Sequence, residues 1–310
     1  MSDQIKHECG IALIRLLKPL EFYQKKYGTK SYGINKMYLM MEKQHNRGQD
    51  GAGFASVKLD SSPGEKYIYR ERSAGKQPIQ EIFSEINNKI YQETKAEEIE
   101  NTPYLGQLML GHVRYGTFGK NNIESVHPFL RQNNWKHRNL IVAGNFNMTN
   151  NQELFDNLVK LGQHPKDKAD GITVMEKIGH FLDDAVSKIY RKLKKEGIGK
   201  IEASALIEKK LNIAKILKKA SKDWDGGYAM AGLIGHGDAF FLRDPAGIRP
   251  AYYFKNDEVV VIASERPVIQ TVFNVRFNQI KELDPGKSII IKKTGDFSIE
   301  SVLEATEKKS

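Results

Sequence analysis

The chain has 310 residues, of which 40% are hydrophobic and 28% charged, with a formal net charge of +10. This length suffices for one large domain or two modest ones built around a hydrophobic core. Its single cysteine excludes an intrachain disulfide and predicts a reducing, cytoplasmic location. No apolar run approaches the ~18 residues of a membrane helix, and the amino terminus lacks a signal-peptide pattern.

The positive charge is concentrated between residues 188 and 222, in runs such as KLKKEG and ILKKASK. Lysines there alternate with Ile, Leu and Ala at helical spacing, which favours the solvated face of amphipathic helices over a surface for nucleic acid. No zinc-ligand spacing, phosphate-binding Gly-Lys-Ser/Thr loop or RNA-binding signature occurs. We therefore predict no metal, no nucleic acid partner and no membrane partner.

The first half of the chain alternates apolar segments with polar, glycine-rich breaks. A loop or irregular helix is expected over residues 21–36, where the sequence is polar and rich in tyrosine. The predicted strands are 10–17, 54–59, 67–72 and 107–115, and the predicted helices are 37–43 and 78–100.

The second half predicts one strand, a block of helices and then a series of short strands. The strand 139–143 is expected to stop at Gly144, and Thr149 with Gln152 has the spacing of a capping box. Asp170 is expected to open a long helix. Later strands are predicted at 228–234, 239–243, 251–254, 259–263 and 288–291. This order indicates packed layers in a single domain rather than alternating βαβ units.

The single cysteine, Cys9, immediately precedes the first predicted strand. If residues 1–8 were removed, its free α-amine, with a reference pKa of ~8, would serve as the base for its own thiol. The alternative is a small buried hydrophobe, which is the commoner fate of an unpaired cysteine. The position alone leaves both interpretations open.

Three other side chains at strand ends or helix starts suit chemistry on an amide. Asn145 offers an N–H donor for an oxyanion hole, and Arg114 offers a bidentate fork for an α-carboxylate. Asp170 would accept from an α-ammonium group. The alternatives are a turn residue, a surface ion pair and a helix N-cap, respectively.

Taken together, several motifs resemble a known family. Cys-Gly-Ile at 9–11, Arg-Gly-Gln-Asp at 47–50, Gly-His-Val-Arg-Tyr-Gly-Thr at 111–117 and Asn-Phe-Asn-Met-Thr-Asn at 145–150 look like the class II glutamine amidotransferases in order and spacing. Asp-Gly-Gly-Tyr-Ala at 225–229 and Arg-Asp-Pro-Ala-Gly-Ile-Arg-Pro at 243–250 are similar to one branch, the glutaminase half of the amidophosphoribosyltransferases of purine biosynthesis.

The resemblance implies an α+β fold, the four-layer αββα sandwich of the N-terminal-nucleophile hydrolases. Residues 1–8 are then a propeptide, residues 9–300 the amidotransferase domain and residues 301–310 a C-terminal tail. The family also implies the role of each site residue. Cys9 attacks the glutamine amide, Asn145 and the backbone N–H of Phe146 stabilise the oxyanion, Arg47 and Gly48 line the catalytic pocket, and Arg114 and Asp170 bind the glutamine with Thr117 assisting.

The chain departs from the family pattern at three places. Asn46 is inserted between His45 and Arg47, and Asp170 is followed by Gly-Ile-Thr instead of Ser-Glu. Phe146 replaces a glycine, which keeps the backbone N–H but would be strained if the family glycine adopts a positive φ.

No PRPP-binding loop, an apolar strand ending in paired aspartates and a Thr/Gly-rich turn, occurs in the sequence. The resemblance therefore implies that ammonia from L-glutamine passes to a phosphoribosyltransferase domain or a separate synthase chain, in a homo-oligomer, with no cofactor in this chain. Two alternatives keep the fold. The first is a hydrolase for another γ-glutamyl or amide substrate, and the second is an unprocessed, inactive module that regulates or scaffolds a synthase.

Overall fold

The computed structural model describes residues 8–95, 102–116 and 122–306. Two of the sequence-based assignments, Thr117 and almost all of the 1–8 segment, lie outside these residues, as does the end of the C-terminal tail.

The strands of the described part are β1 (Gly10–Leu16), β2 (Gly51–Val57), β3 (Ile68–Ser73), β4 (Leu108–Arg114), β5 (Phe129–Arg131), β6 (Leu140–Met148), β7 (Gly226–Ile234), β8 (Ala239–Arg243), β9 (Tyr252–Lys255), β10 (Val259–Ala263), β11 (Lys281–Glu282), β12 (Lys287–Ile291) and β13 (Phe297–Ser301). The α-helices are α1 (Leu20–Tyr27), α2 (Tyr32–Lys43), α3 (Pro78–Lys95), α4 (Asn151–Lys160), α5 (Asp170–Lys195), α6 (Lys200–Lys210), α7 (Ile213–Ala220) and α8 (Arg266–Phe273).

Seven strands form the first sheet, in the order β11-β9-β10-β1-β4-β2-β3. Neighbouring strands are antiparallel throughout. The strand that follows Cys9, β1, lies in the interior of this sheet between β4 and β10, and all seven of its residues are buried. Cys9 is therefore attached directly to a strand that is hydrogen-bonded on both edges.

The second sheet has six antiparallel strands in the order β13-β12-β8-β7-β6-β5. Its longest pairing joins β6 to β7 without a break from Leu140 opposite Ile234 to Met148 opposite Gly226. The edge strand β5 covers β6 only from Leu140 to Val142. The second half of β6 thus has a sheet neighbour on one side only.

The two sheets are packed face to face, and helices cover both outer faces. Aliphatic side chains of β1, β2 and β4 meet those of β6, β7 and β8 in the buried layer between the sheets. Helices α2, α3 and α8 cover the first sheet, whereas α4, α5, α6 and α7 cover the second. The expected αββα sandwich is confirmed.

Most of the predicted elements are present, but several expectations were wrong. Residues 21–36, expected to form a loop or an irregular helix, contain most of α1 and the start of α2. The strand expected to stop at Gly144 continues to Met148, because its pairing with β7 outweighs the local turn signal. The capping box is absent: the Thr149 hydroxyl bonds to Asp225, and α4 begins at Asn151 without a side-chain cap.

Within the described ranges, no helix is both long enough and apolar enough to cross a membrane.

Candidate active site

The Cys9 side chain lies at the end of the first sheet, beside the last residues of β4. The backbone N–H of Tyr115 donates to the Cys9 Sγ at 3.5 Å. Burial raises the pKa of the Cys9 thiol, and the nearby Asp170 carboxylate adds to the rise. The Tyr115 hydrogen bond and the positive charges of Arg114 and Arg249 act in the opposite direction.

The loop after α2 brings Arg47 and Gly48 against the same strand end. Arg47 lies in a short 3₁₀ turn, and its Nε donates to the Cys9 carbonyl oxygen at 3.2 Å. A Cβ on Gly48 would lie 2.4 Å from the carbonyl carbon of Arg114 and 2.8 Å from the nitrogen of Tyr115. Glycine is required here because the loop backbone packs directly on the peptide that contacts Sγ.

Arg114 and Asp170 lie near the thiol, the first at the end of a strand and the second at the start of a helix. Arg114 ends β4 and is 7% exposed, and its carbonyl accepts from the Asp50 N–H at 3.0 Å. Asp170 is the first residue of α5, where burial raises the pKa of its carboxyl group. Backbone N–H groups of Gly171 and Met148 bond to this carboxylate and partly offset the rise. A cation and an anion thus both lie close enough to Cys9 to affect the pKa of its thiol.

The register of β6 decides which way its backbone donors point. Thr149 N–H donates to Asp225 and Gly235 N–H donates to Asn139, each at 3.0 Å. In an antiparallel ladder these bonds recur at every second residue, so the odd-numbered residues of β6 bond to β7. The N–H of Phe146 therefore points to the other edge of β6, which β5 does not reach.

Phe146 is not strained at this position. Among the described non-glycine residues only Tyr104 and Asn274 have a positive φ, so Phe146 follows ordinary extended backbone opposite Tyr228. Its ring covers Gly144, where a Cβ would lie 2.3 Å from the ring. Phe146, at the position where the resemblance implies glycine, thus leaves the strand regular and its N–H on the open edge.

Glu8, which no sequence argument had selected, occupies the centre of the site. Its carboxylate accepts from the Arg47 Nη2 at 2.8 Å and from the Asn145 Nδ2 at 3.3 Å. The same carboxylate forms an ion pair with Arg249. The residue that precedes Cys9 thus engages the amide that we expected to serve an oxyanion.

Arg249 was also missed, although the motif that contains it had been noted. The Asp244 carboxylate accepts from the N–H groups of Ile248 and Arg249, at 2.9 and 3.0 Å. Arg243 donates to the carbonyls of Gly247 and Arg249, at 3.1 and 2.7 Å. Side chains of Arg243 and Asp244 therefore hold the Arg-Asp-Pro-Ala-Gly-Ile-Arg-Pro loop together by hydrogen bonds to its own backbone. In this loop Arg249 lies within the site, where it pairs with Glu8.

The structure brings most of the predicted site residues together around Cys9. They are Arg47, Gly48, Arg114, Asn145, Phe146 and Asp170, and their proposed roles stay predictions. Thr117 lies outside the described residues. The described part of the chain contains no group of three or more His, Cys, Asp or Glu side chains that could hold a metal ion.

Comparison with known proteins gives a consistent result. No protein-family model matches the sequence. Amidophosphoribosyltransferase of Methanothermobacter thermautotrophicus is 24% identical over 292 residues, which cover 93% of this chain and 49% of that protein. The enzyme of the same name from Methanocaldococcus jannaschii is 27% identical over 92% of this chain and 47% of its own length. The chain resembles the amidophosphoribosyltransferases. It spans about half the length of these curated relatives.

Solved structures support the fold. The glutamine phosphoribosylpyrophosphate amidotransferase of B. subtilis, complexed with ADP and GMP, superposes with a TM-score of 0.56 at 21% identity. The alignment covers 95% of this chain and 49% of that protein. The four-layer sandwich fold and the resemblance to the amidophosphoribosyltransferases, both expected from the motifs, are confirmed.

Proposed function

We propose that this chain is a glutaminase domain that releases ammonia from L-glutamine through a thioester at Cys9. The observation that carries the proposal is the pair of opposite charges beside the thiol, Arg114 and Asp170, which both affect its pKa. Glutamine has an α-carboxylate for the first and an α-ammonium for the second. A hydrogen bond to a charged group contributes about 1.5–3 kcal/mol, so an amide that lacks these two groups would bind more weakly than glutamine.

The proposed reaction begins once residues 1–8 have been removed. The α-amine of Cys9 takes the thiol proton, and Sγ attacks the side-chain carbonyl carbon of glutamine. The negative charge that develops on the carbonyl oxygen is stabilised by the Asn145 amide and the open N–H of Phe146. The C–N bond then breaks, the amine returns its proton to the departing ammonia, and water hydrolyses the thioester to glutamate.

The ammonia would serve a phosphoribosyltransferase partner, either a further domain or a separate chain. This proposal rests on the relatives, of which this chain matches only about half. A hydrolase acting on another amide is the alternative within the same fold, and relative rates on glutamine, asparagine and γ-glutamyl peptides separate the two. The charge pair predicts a strong preference for glutamine.

One observation favours a second candidate, an inactive module that retains residues 1–8. The Glu8 carboxylate already accepts from Asn145 and lies between Arg47 and Arg249. While Glu8 stays attached, Cys9 has no α-amine and Asn145 has a competing acceptor. Such a chain would bind a synthase partner without hydrolysing glutamine.

The test is to measure the intact mass, the N-terminal residue and glutamine hydrolysis on one purified sample. A new N-terminus at Cys9 with turnover that Cys9→Ala abolishes would support the glutaminase. A chain produced to start at Cys9 provides the matched comparison. If that chain also fails to hydrolyse glutamine, the proposed activity is wrong and the regulatory module is favoured.

A further inference from the structure

Two histidines outside the predicted site bond to the backbone of Gly144, the residue that precedes Asn145. The His127 Nδ1 accepts from the backbone N–H of Gly144 at 3.1 Å. The His112 Nε2 lies 3.2 Å from the carbonyl oxygen of Gly144 and donates to it, since a carbonyl can only accept. Both groups of Gly144 that point away from β7 are therefore bonded to imidazole rings.

The two rings act as one unit. They are stacked with their centroids 4.3 Å apart and their planes at 24°. The bonds require His127 to carry its proton on Nε2, so that Nδ1 is free to accept, and His112 to carry its proton on Nε2. Burial lowers the pKa of His112 to about 3, and burial with the neighbouring His112 also lowers the pKa of His127. Both rings are therefore neutral at physiological pH.

His127 is confined by residues of both sheets and by the helix that carries Asp170. A Cβ on Gly53 of β2 would lie 1.9 Å from the His127 carbonyl oxygen. A Cβ on Gly171 would lie 3.3 Å from the His127 Nε2, and the ring of Phe129 is 4.2 Å away, centroid to centroid. The His127 ring thus connects the Gly144 N–H to the start of α5, and it cannot shift without displacing the residues packed around it.

This part of β6 needs such support because it has a sheet partner on one edge only. Beyond Val142 the even-numbered N–H groups face away from β7, where β5 has ended. The N–H of Gly144 bonds to His127, and that of Met148 bonds to Asp170. Phe146 N–H lies between these two fixed points, so their positions set its direction.

We propose that His112 and His127 are positioning residues that aim the Asn145 amide and the Phe146 N–H at the oxyanion. The inference rests on the proposed glutaminase function. Oxyanion donors act only when they lie 2.7–3.1 Å from the developing charge, and a misplacement of about 1 Å can cost about 100-fold in rate. Gly144 has no side chain to restrict its torsions, so the two imidazoles supply the restriction.

The experiment compares substitutions that keep or remove each hydrogen bond, in the chain starting at Cys9. In His127→Asn the amide oxygen takes the place of Nδ1, whereas His127→Leu has no acceptor. In His112→Gln the amide nitrogen takes the place of Nε2, whereas His112→Met has no donor. We expect the Leu and Met variants to lose about 10- to 100-fold in kcat with KM within about twofold. The Asn and Gln variants should recover most of this loss.

Thermal unfolding shows whether each variant folds. The exchange rate of the Gly144 amide proton shows whether its hydrogen bond to residue 127 is lost. A His127→Leu chain that exchanges Gly144 faster but keeps the wild-type kcat overturns the positioning role. Equal losses in His127→Asn and His127→Leu overturn it too, because packing alone would then explain the effect. Absence of turnover in the unsubstituted Cys9-starting chain refutes the proposed function itself and, with it, this role.

Discussion

Replacing Gly48 by alanine tests whether close backbone packing positions the Cys9 thiol. Gly48 has an extended backbone, with φ −165° and ψ 131°, which alanine adopts without strain. The added Cβ, however, would lie 2.4 Å from the Arg114 carbonyl carbon and 2.6 Å from its oxygen. Carbon atoms pack best at ~3.5–4.0 Å, so the Arg114–Tyr115 peptide must move by about 1 Å. The whole cost of the substitution is therefore steric.

That peptide contacts the nucleophile, which allows the effect to be estimated. Its N–H donates to the Cys9 Sγ at 3.5 Å, and its carbonyl accepts from Asp50 at 3.0 Å. Overpacking of this kind costs about 1–3 kcal/mol in stability. A displacement of about 1 Å at a reacting group costs about 100-fold in rate. We therefore expect Gly48→Ala to lower kcat/KM for glutamine by about 100-fold while the melting temperature falls by only a few degrees.

The control is Gly199→Ala, at the start of α6, where a Cβ would meet no atom within 4 Å. Both variants are compared in the chain starting at Cys9, by ammonia release and by thermal unfolding. The control should retain wild-type activity. If Gly48→Ala is as active as the control, the loop does not position the thiol and the reasoning fails.

Further predictions concern three single site residues. Asn145→Ala should lower kcat by about 100- to 1,000-fold with little change in KM, the loss typical of one oxyanion donor; a change mainly in KM would assign Asn145 to substrate binding. Asp170→Asn should raise KM for glutamine by about 10-fold or more, because a hydrogen bond to a charged group contributes about 1.5–3 kcal/mol. Burial also raises the pKa of the Asp170 carboxyl group above the ordinary 3.8 of aspartate. Glutamine binding should therefore begin to weaken at a higher pH, as the medium is acidified, than it would with an exposed aspartate. A plot of KM against pH with its midpoint at or below pH 3.8 would contradict this. In the uncleaved chain, burial raises the pKa of the single thiol, Cys9, above its ordinary 9.0. The rate of Cys9 labelling by iodoacetamide should therefore still increase with pH above pH 9, because the thiolate is the reactive form. A rate that reaches its plateau below pH 9 would instead show a thiolate stabilised by its neighbours.

Sequence patterns predicted the layers well because burial dominates them. The strands 239–243 and 259–263 have the predicted bounds, since both are short apolar runs between turn residues. The lysine-rich region forms α6, α7 and the end of α5, as the helical spacing indicated. The edge strand β13 was missed because none of its residues is fully buried, and helix α8 because its Val, Ile and Thr residues favour strands locally.

The site was harder to predict than the fold. The motifs selected Cys9, Arg114 and Asp170 because chemistry requires those residue types. Glu8 escaped notice because its role depends on which donors surround it, and the donors come from distant parts of the chain. The histidine stack was also missed, since His112 lies on β4 of the first sheet and His127 just before β5 of the second, and they meet only when the two sheets pack together.

The interior position of β1 has a consequence for the order of events during synthesis. Among the described strands this one leaves the ribosome first, but its neighbour β10 follows almost 250 residues later. Pairings between residues so far apart in sequence form late, since the intervening chain must be closed into a loop. Arg249, which contacts Glu8, is also synthesised late. The contacts around Cys9 are therefore incomplete until the sheet closes late in synthesis, so the proposed cleavage before Cys9 would report the completion of folding.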